Sequence, residues 1–71
     1  MSISNINKRT GAKIKTVRKS KGWSQEKLAL EAGLHRAYIG QIERGEKNIG
    51  LKNLEKIAKT LGLKLKDIIS E

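Results

Sequence analysis

The chain contains no cysteine, no proline and no phenylalanine, and it has one histidine, one tryptophan and one tyrosine. Without cysteine it can form neither a disulfide bridge nor a thiolate metal site, and His35 alone cannot provide a paired-histidine zinc site. So few aromatic rings argue against a stacking platform for single-stranded nucleic acid. At 71 residues the chain is one domain, too short to enclose a sizeable catalytic pocket. These absences predict a small binding module without enzymatic activity, metal or cofactor.

Acidic residues are missing from the first third of the chain. Residues 1–25 contain seven basic and no acidic residues, whereas residues 26–71 contain nine basic and seven acidic ones. Most of the formal net charge of +9 therefore lies near the N-terminus. Such asymmetry indicates a polyanionic partner, either nucleic acid or an anionic membrane surface. The alternative is a lysine-rich surface that only keeps the domain in solution.

Long apolar segments are missing as well. No run approaches the roughly 20 apolar residues of a membrane span, and no apolar signal-peptide region follows the first residues. We therefore expect the protein in the cytoplasm.

The apolar residues that are present recur at helical spacing, and no strand pattern occurs. The clearest stripe runs from Leu51 to Leu61, with an apolar side chain every three or four positions. Glycines after the stripes predict helix ends, because glycine adopts positive φ without strain. Ser24 is a candidate N-cap. The sequence predicts a compact all-α domain with a flexible arm at residues 1–6 and five helices at about residues 7–21, 25–32, 36–44, 51–61 and 65–69.

The most informative segment is residues 25–45, QEKLALEAGLHRAYIGQIERG. Two helices of about two turns that meet at a tight turn have the geometry of a helix-turn-helix. Ala29 suits a close approach of the two helices, and Gly33 suits the turn. Ile39 and Ile42 have the spacing that fills the wedge between the helices. A generic helical hairpin that uses the same residues only for packing is the alternative.

Two stretches, IKTVRKSKGWSQEKLALEAGLHRAYIGQIERGEKN and LKNLEKIAKTLGL, resemble the Cro and phage-repressor (XRE-type) helix-turn-helix regulators. The resemblance covers residues 8–70 and implies a lambda-repressor-like DNA-binding domain. The runs RAYI and IERG look most like the controller proteins of restriction–modification systems. A member of that group would bind palindromic double-stranded DNA as a homodimer in the bacterial nucleoid. It would regulate its own gene and an endonuclease gene, with RNA polymerase as a further partner.

In this family the second helix of the motif enters the major groove. The resemblance therefore implies four base-contacting positions: Arg36, Ala37, Gly40 and Gln41. The guanidinium of Arg36 can donate to O6 and N7 of guanine, and the amide of Gln41 can pair with adenine. Ala37 can touch a thymine methyl group, whereas Gly40 offers little direct readout. The alternatives are a phosphate contact for Arg36 and, for Gln41, an amide that is solvated or hydrogen-bonded within the protein.

The resemblance also implies four phosphate contacts, from Gln25, Tyr38, Lys47 and Asn48. Gln25 begins a helix, whose N-terminus attracts phosphate. Tyr38 offers its hydroxyl, and Lys47 and Asn48 lie in the loop after the recognition helix. Two alternatives remain open, since Tyr38 can pack in the core and Asn48 can cap its own turn.

Arg18 and Glu43 match positions that form an internal ion pair in this family, so Arg18 is not counted as a DNA contact. Residues 51–70 are predicted to carry a two-fold dimer interface. Its candidate side chains are Leu61, Leu65, Ile68 and Ile69. The alternative is that these side chains only close the core of the monomer.

Other functions remain as rivals. A phage-type or antitoxin-type repressor would use the same chemistry. A cationic membrane-surface protein needs one helix with a wide apolar face, whereas the stripes here are short and interrupted by glycine. A nuclease needs clustered carboxylates to hold a metal, and the acidic residues are scattered instead. No RNA-recognition motif is visible, and no small-molecule ligand is expected.

Overall fold

The computed structural model describes residues 3–69, with side chains from residue 5 onward. These residues form five helices and no strand. The helices are α1 (Ile3–Ser20), α2 (Gln25–Ala32), α3 (Arg36–Glu43), α4 (Leu51–Thr60) and α5 (Leu65–Ile69). The prediction of an all-α domain is confirmed. Within this described part, none of the helices has the length and apolar character needed to cross a membrane.

Helix α2 has the two caps that the sequence predicts. The hydroxyl of Ser24 accepts a hydrogen bond from the backbone N–H of Lys27 at 3.0 Å, which satisfies one free donor of the first turn. At the other end, Gly33 has a φ of +70°, a conformation that costs little without a β-carbon. The N–H of Leu34 then donates to the carbonyl of Ala29 at 2.9 Å. Both α2 boundaries therefore follow from local chemistry.

The start of α1 differs from the prediction. The helix begins at Ile3, so residues 3–6, expected as part of a flexible arm, are helical. Met1 and Ser2, the rest of that arm, lie outside the described residues. Ile6 is 48% exposed and does not enter the core. The apolar stripe of this segment is sparse, which is why its pattern did not predict a helix.

Close backbone packing holds the first half of α1 in place. Gly11 is buried, and a β-carbon there would overlap the carbonyl oxygen of Ile42. Gly45 has a φ of +73°, and a β-carbon on it would lie 2.8 Å from the Cα of Lys8. Both contacts require glycine, and together they allow α1 to pack closely against the end of α3 and the loop that follows.

The core lies where the five helices meet. α3 packs against both α1 and α2, α4 packs against α2, and α5 packs against α1 and α4. The largest fully buried side chains are Ile14, Leu28, Ile39, Ile57 and Leu61. Since α3 is covered on its inner side by two helices, only its outer side is available to a partner.

Two of the predicted interface residues are core residues instead. Leu61 and Ile68 are each 2% exposed, so neither side chain can touch a second copy. Their prediction as dimer contacts is wrong, because α5 folds back on α1 and α4 and encloses them. Leu65 is half-buried, and Ile69 is 50% exposed. For Leu61 and Ile68 the alternative, closing the monomer core, is correct.

Candidate nucleic-acid interface

An ion pair inside the molecule fixes the orientation of α3. Arg18 donates to Glu43 twice, from Nε at 2.7 Å and from Nη2 at 3.0 Å. The side chains are 7% and 2% exposed. Arg18 Nη1 also donates to the carbonyl of Trp23 at 2.6 Å, and Gln25 Nε2 donates to Glu43 at 3.0 Å. The predicted pair is thus present, and it ties α1, α2 and α3 together.

The outer side of α3 forms one wall of an open groove, and the start of α2 forms the other. Five predicted contact residues meet there, together with an arginine that was not predicted as a site residue. The lining side chains and backbone are those of Gln25, Arg36, Ala37, Gly40, Gln41 and Arg44. Residues from two helices, separated in sequence, are therefore brought to one surface.

Arg36 is a cation of the groove that is not used in an ion pair among the described residues. It is the first residue of α3 and is exposed. Among the described residues it has neither a hydrogen bond nor an ion pair, so all of its guanidinium donors are available. Gln41 is half-buried, and its amide likewise has no partner within residues 5–69. Both side chains suit recognition of a base edge.

Gly40 lines the groove at its predicted position but has little surface of its own. A β-carbon on it would lie 3.1 Å from Nη1 of Arg44 and 3.6 Å from Oε1 of Gln25. Its base contact stays a prediction. Its lack of a side chain makes room for Arg44.

Arg44 is the groove residue that sequence reasoning missed. Its Nε and Nη2 donate to the two carboxylate oxygens of Glu46 at 2.8 and 3.1 Å. This side-chain hydrogen bonding raises the pKa of Arg44 and lowers the pKa of Glu46, which favours the charged form of each. The available signal was spacing, because Arg44 lies four residues after Gly40 and shares its helix face.

Gln25 is only partly free to act as a phosphate clamp. One N–H of its amide is used in the hydrogen bond to Glu43, which leaves the second N–H and the carbonyl oxygen. The side chain is half-buried at the first position of α2. Its role as a phosphate contact stays a prediction.

On the other flank of α3, Tyr38 and Lys47 border a second shallow depression. The ring of Tyr38 packs against the core, and its hydroxyl accepts a hydrogen bond from Asn53 Nδ2 at 3.0 Å. The hydroxyl can still donate its own proton to a phosphate. Lys47 is exposed and has no partner among residues 5–69.

Asn48 links the loop after α3 to the first helix. Its Oδ1 accepts a hydrogen bond from Asn7 Nδ2 at 2.6 Å. The side chain of Asn48 is therefore hydrogen-bonded to α1 through its oxygen, and the two N–H groups of its amide remain available to a phosphate. His35 occupies the N-cap position of α3, but its side chain makes no capping hydrogen bond.

Comparison with known proteins identifies the family of the chain. A family model described as Helix-turn-helix matches residues 14–68. Control protein C.BamHI of Bacillus amyloliquefaciens is 52% identical over 66 residues, which cover 92% of this chain and 82% of that protein.

Two solved structures show the same arrangement. The restriction-modification controller protein C.AhdI from Aeromonas hydrophila matches with a TM-score of 0.85 and 37% identity, covering 87% of this chain and 94% of that one. The biofilm master regulator SinR in complex with DNA matches with a TM-score of 0.82 and 34% identity, covering 86% and 98%. The range matched by the family model contains α2, α3 and the groove between them.

Proposed function

Because the chain belongs to the helix-turn-helix family, we propose that it is a transcriptional regulator that binds specific double-stranded DNA as a homodimer on palindromic operators. The observation that carries the proposal is the outer side of α3, where the side chains of Arg36 and Gln41 have no partner within residues 5–69. An α-helix fits the major groove of B-DNA, and these are the side chains that distinguish its base edges.

The chemistry assigns roles to the groove residues. Arg36 donates two hydrogen bonds to guanine, Gln41 pairs with adenine, and Ala37 packs on a thymine methyl group. Phosphates are held from both flanks, by Gln25 on one side and by Tyr38, Lys47 and Asn48 on the other. Function thus rests on binding, and the protein acts in the bacterial cytoplasm without catalysis.

The regulatory role is inferred from the relatives. C.BamHI is named a control protein, and C.AhdI is a restriction-modification controller protein. This chain accordingly regulates its own gene and that of a neighbouring endonuclease, with RNA polymerase as a further partner. A phage-type or antitoxin-type repressor is the second candidate, supported by the 39% identity to an immunity repressor of Bacillus phage phi105 over 86% of this chain.

The experiment that tests the function is selection of bound duplexes from a random DNA library. We expect enrichment of two half-sites related by two-fold symmetry, about one helical turn apart. Vesicles of anionic lipid serve as the competing polyanion. Equal retention on vesicles and on every DNA sequence would contradict the proposal, because sequence preference distinguishes a regulator from a cationic surface-binding protein.

The homodimer has its own test. The corrected dimer surface consists of Leu65 and the exposed Ile69, since the other two candidates are buried. We expect Ile69→Glu to shift sedimentation at tens of micromolar from dimer to monomer, because a buried charge at an apolar interface is costly. Leu30→Glu is the control, as Leu30 is equally apolar, is 75% exposed and lies on α2. A wild-type monomer at this concentration would contradict the homodimer.

A further inference from the structure

Arg44 lines the groove and pairs with the exposed Glu46, and neither side chain is one of the proposed base or phosphate contacts. Both side chains are more than half exposed, at 58% and 54%. An exposed ion pair adds little to folding stability. The bidentate pair therefore matters more for how Arg44 is oriented in the groove than for the stability of the fold.

The hydrogen bonds use only one edge of the guanidinium. An arginine has five N–H donors, and Glu46 accepts from Nε and from one hydrogen of Nη2. The adjacent edge, formed by Nη1 and the second hydrogen of Nη2, keeps three donors. Nη1 lies over Gly40, within the same groove as Arg36. This free edge has the fork geometry that reads guanine O6 and N7.

Glu46 also changes the charge that a phosphate meets. A free arginine at this position would attract the DNA backbone of any sequence. With a carboxylate on its Nε edge, the pair has no net charge, while the free edge still offers directed hydrogen bonds. Sequence-independent attraction is thereby reduced, and directional donors are retained.

Resting on the proposed DNA-binding function, we propose that Glu46 is a specificity-determining positioning residue, which holds Arg44 over Gly40 so that its free edge reads a second guanine in each half-site. Gly40 supplies the space, since a side chain there would meet Nη1. Arg36 and Arg44 then read two base pairs from opposite ends of α3.

The test compares Glu46→Gln with wild type on the duplex selected by wild type and on an unrelated duplex. We expect tighter binding of the unrelated duplex, with a salt slope larger by about one unit, because Arg44 becomes free to bind phosphate. At one base pair per half-site the preference falls by about fivefold or more. A merely structural role for Glu46 would leave the preference at each base pair unchanged.

Two further variants separate charge from geometry. Glu31→Gln is the matched control, because Glu31 forms an exposed pair with Lys27 at 3.2 Å and the substitution removes the same charge. It should leave the base preferences unaltered. Arg44→Lys keeps the positive charge but removes the planar fork, so it should lose the same base preference as Glu46→Gln.

The outcomes distinguish this inference from the function on which it rests. If wild type selects no sequence, the proposed function fails and the role of Glu46 fails with it. If wild type selects an operator and Glu46→Gln has the same preferences, only the role of Glu46 is overturned. The same holds if Glu31→Gln and Glu46→Gln tighten binding to both duplexes equally, since the effect would then be general charge.

Discussion

Two arginine–glutamate pairs lie at opposite sides of the end of α3, and they differ mainly in their access to water. In each pair Nε and Nη2 of the arginine donate to the two carboxylate oxygens. The inner pair is 7% and 2% exposed, whereas the outer pair is 58% and 54% exposed. The same chemistry therefore holds α3 against the other helices on one side and lies at the surface beside the groove on the other.

The inner pair is surrounded by further partners. Arg18 also bonds the carbonyl of Trp23, and Glu43 also accepts from Gln25. A buried ion pair contributes little net stability when complete, but the loss of one member leaves a charge without water or partner. The outer pair has water available to both members, so its loss costs the fold little.

The largest effect is expected from Glu43→Gln, which keeps the shape of the side chain and removes its charge. Arg18 would remain buried without a counter-charge, which lowers the free energy of unfolding by about 3–5 kcal/mol. Chemical denaturation followed by circular dichroism measures it. A change below about 1 kcal/mol would contradict the importance of burial for this pair.

Arg36→Ala tests the outer side of α3 directly. We expect a loss of about 1–3 kcal/mol in DNA binding and a relaxed preference at one base pair of each half-site. The unfolding midpoint should stay unchanged, because Arg36 has no partner among the described residues. Titration of operator variants measures the preference, and an unaltered pattern would remove Arg36 from the base contacts.

Lys47→Ala should have a smaller and different effect. Lys47 is exposed on the loop beyond α3, so its loss should weaken binding to all sequences alike. The salt slope should fall by about one unit. Measuring affinity at four salt concentrations tests this, and an unchanged slope would exclude a phosphate contact.

The smallest effect is expected for the unfolding of Glu46→Gln, which should have the wild-type denaturation midpoint at neutral pH. Because Arg44 lowers the pKa of Glu46, any stability from the pair is lost as the pH falls through that lowered value. The two proteins should therefore also unfold alike in acid. A marked difference at neutral pH would show that the exposed pair also contributes to folding stability, contrary to the comparison with the buried pair.

Helix boundaries set by local chemistry could be predicted from the sequence. Ser24 and Gly33 act through their own neighbours, and the spacing of apolar residues located α4 well. The start of α1 could not be predicted in this way. Its apolar stripe is sparse, and the packing of its first half involves Gly11 against Ile42 and Lys8 against Gly45, contacts between residues far apart in the chain.

The candidate site could also be predicted only in part. Arg36, Ala37 and Gln41 were expected at one surface from the resemblance to the regulator family, and the structure brings them to one groove. The Arg44–Glu46 contact could not be foreseen, because residues two apart do not face each other on a helix. α3 ends at Glu43, and the positive φ of Gly45 turns the chain so that the two side chains meet.

The first half of α1 has a consequence for anyone who trims or grafts this domain. Residues 7–11 contact the loop that contains Lys47 through Asn48 and Gly45. They lie outside the range 14–68 that the family model matches. A minimal domain cut to that range would keep every groove residue but lose the contacts of residues 7–11 that support the loop. The useful unit for transplanting this DNA-binding surface into another protein therefore starts upstream of residue 7.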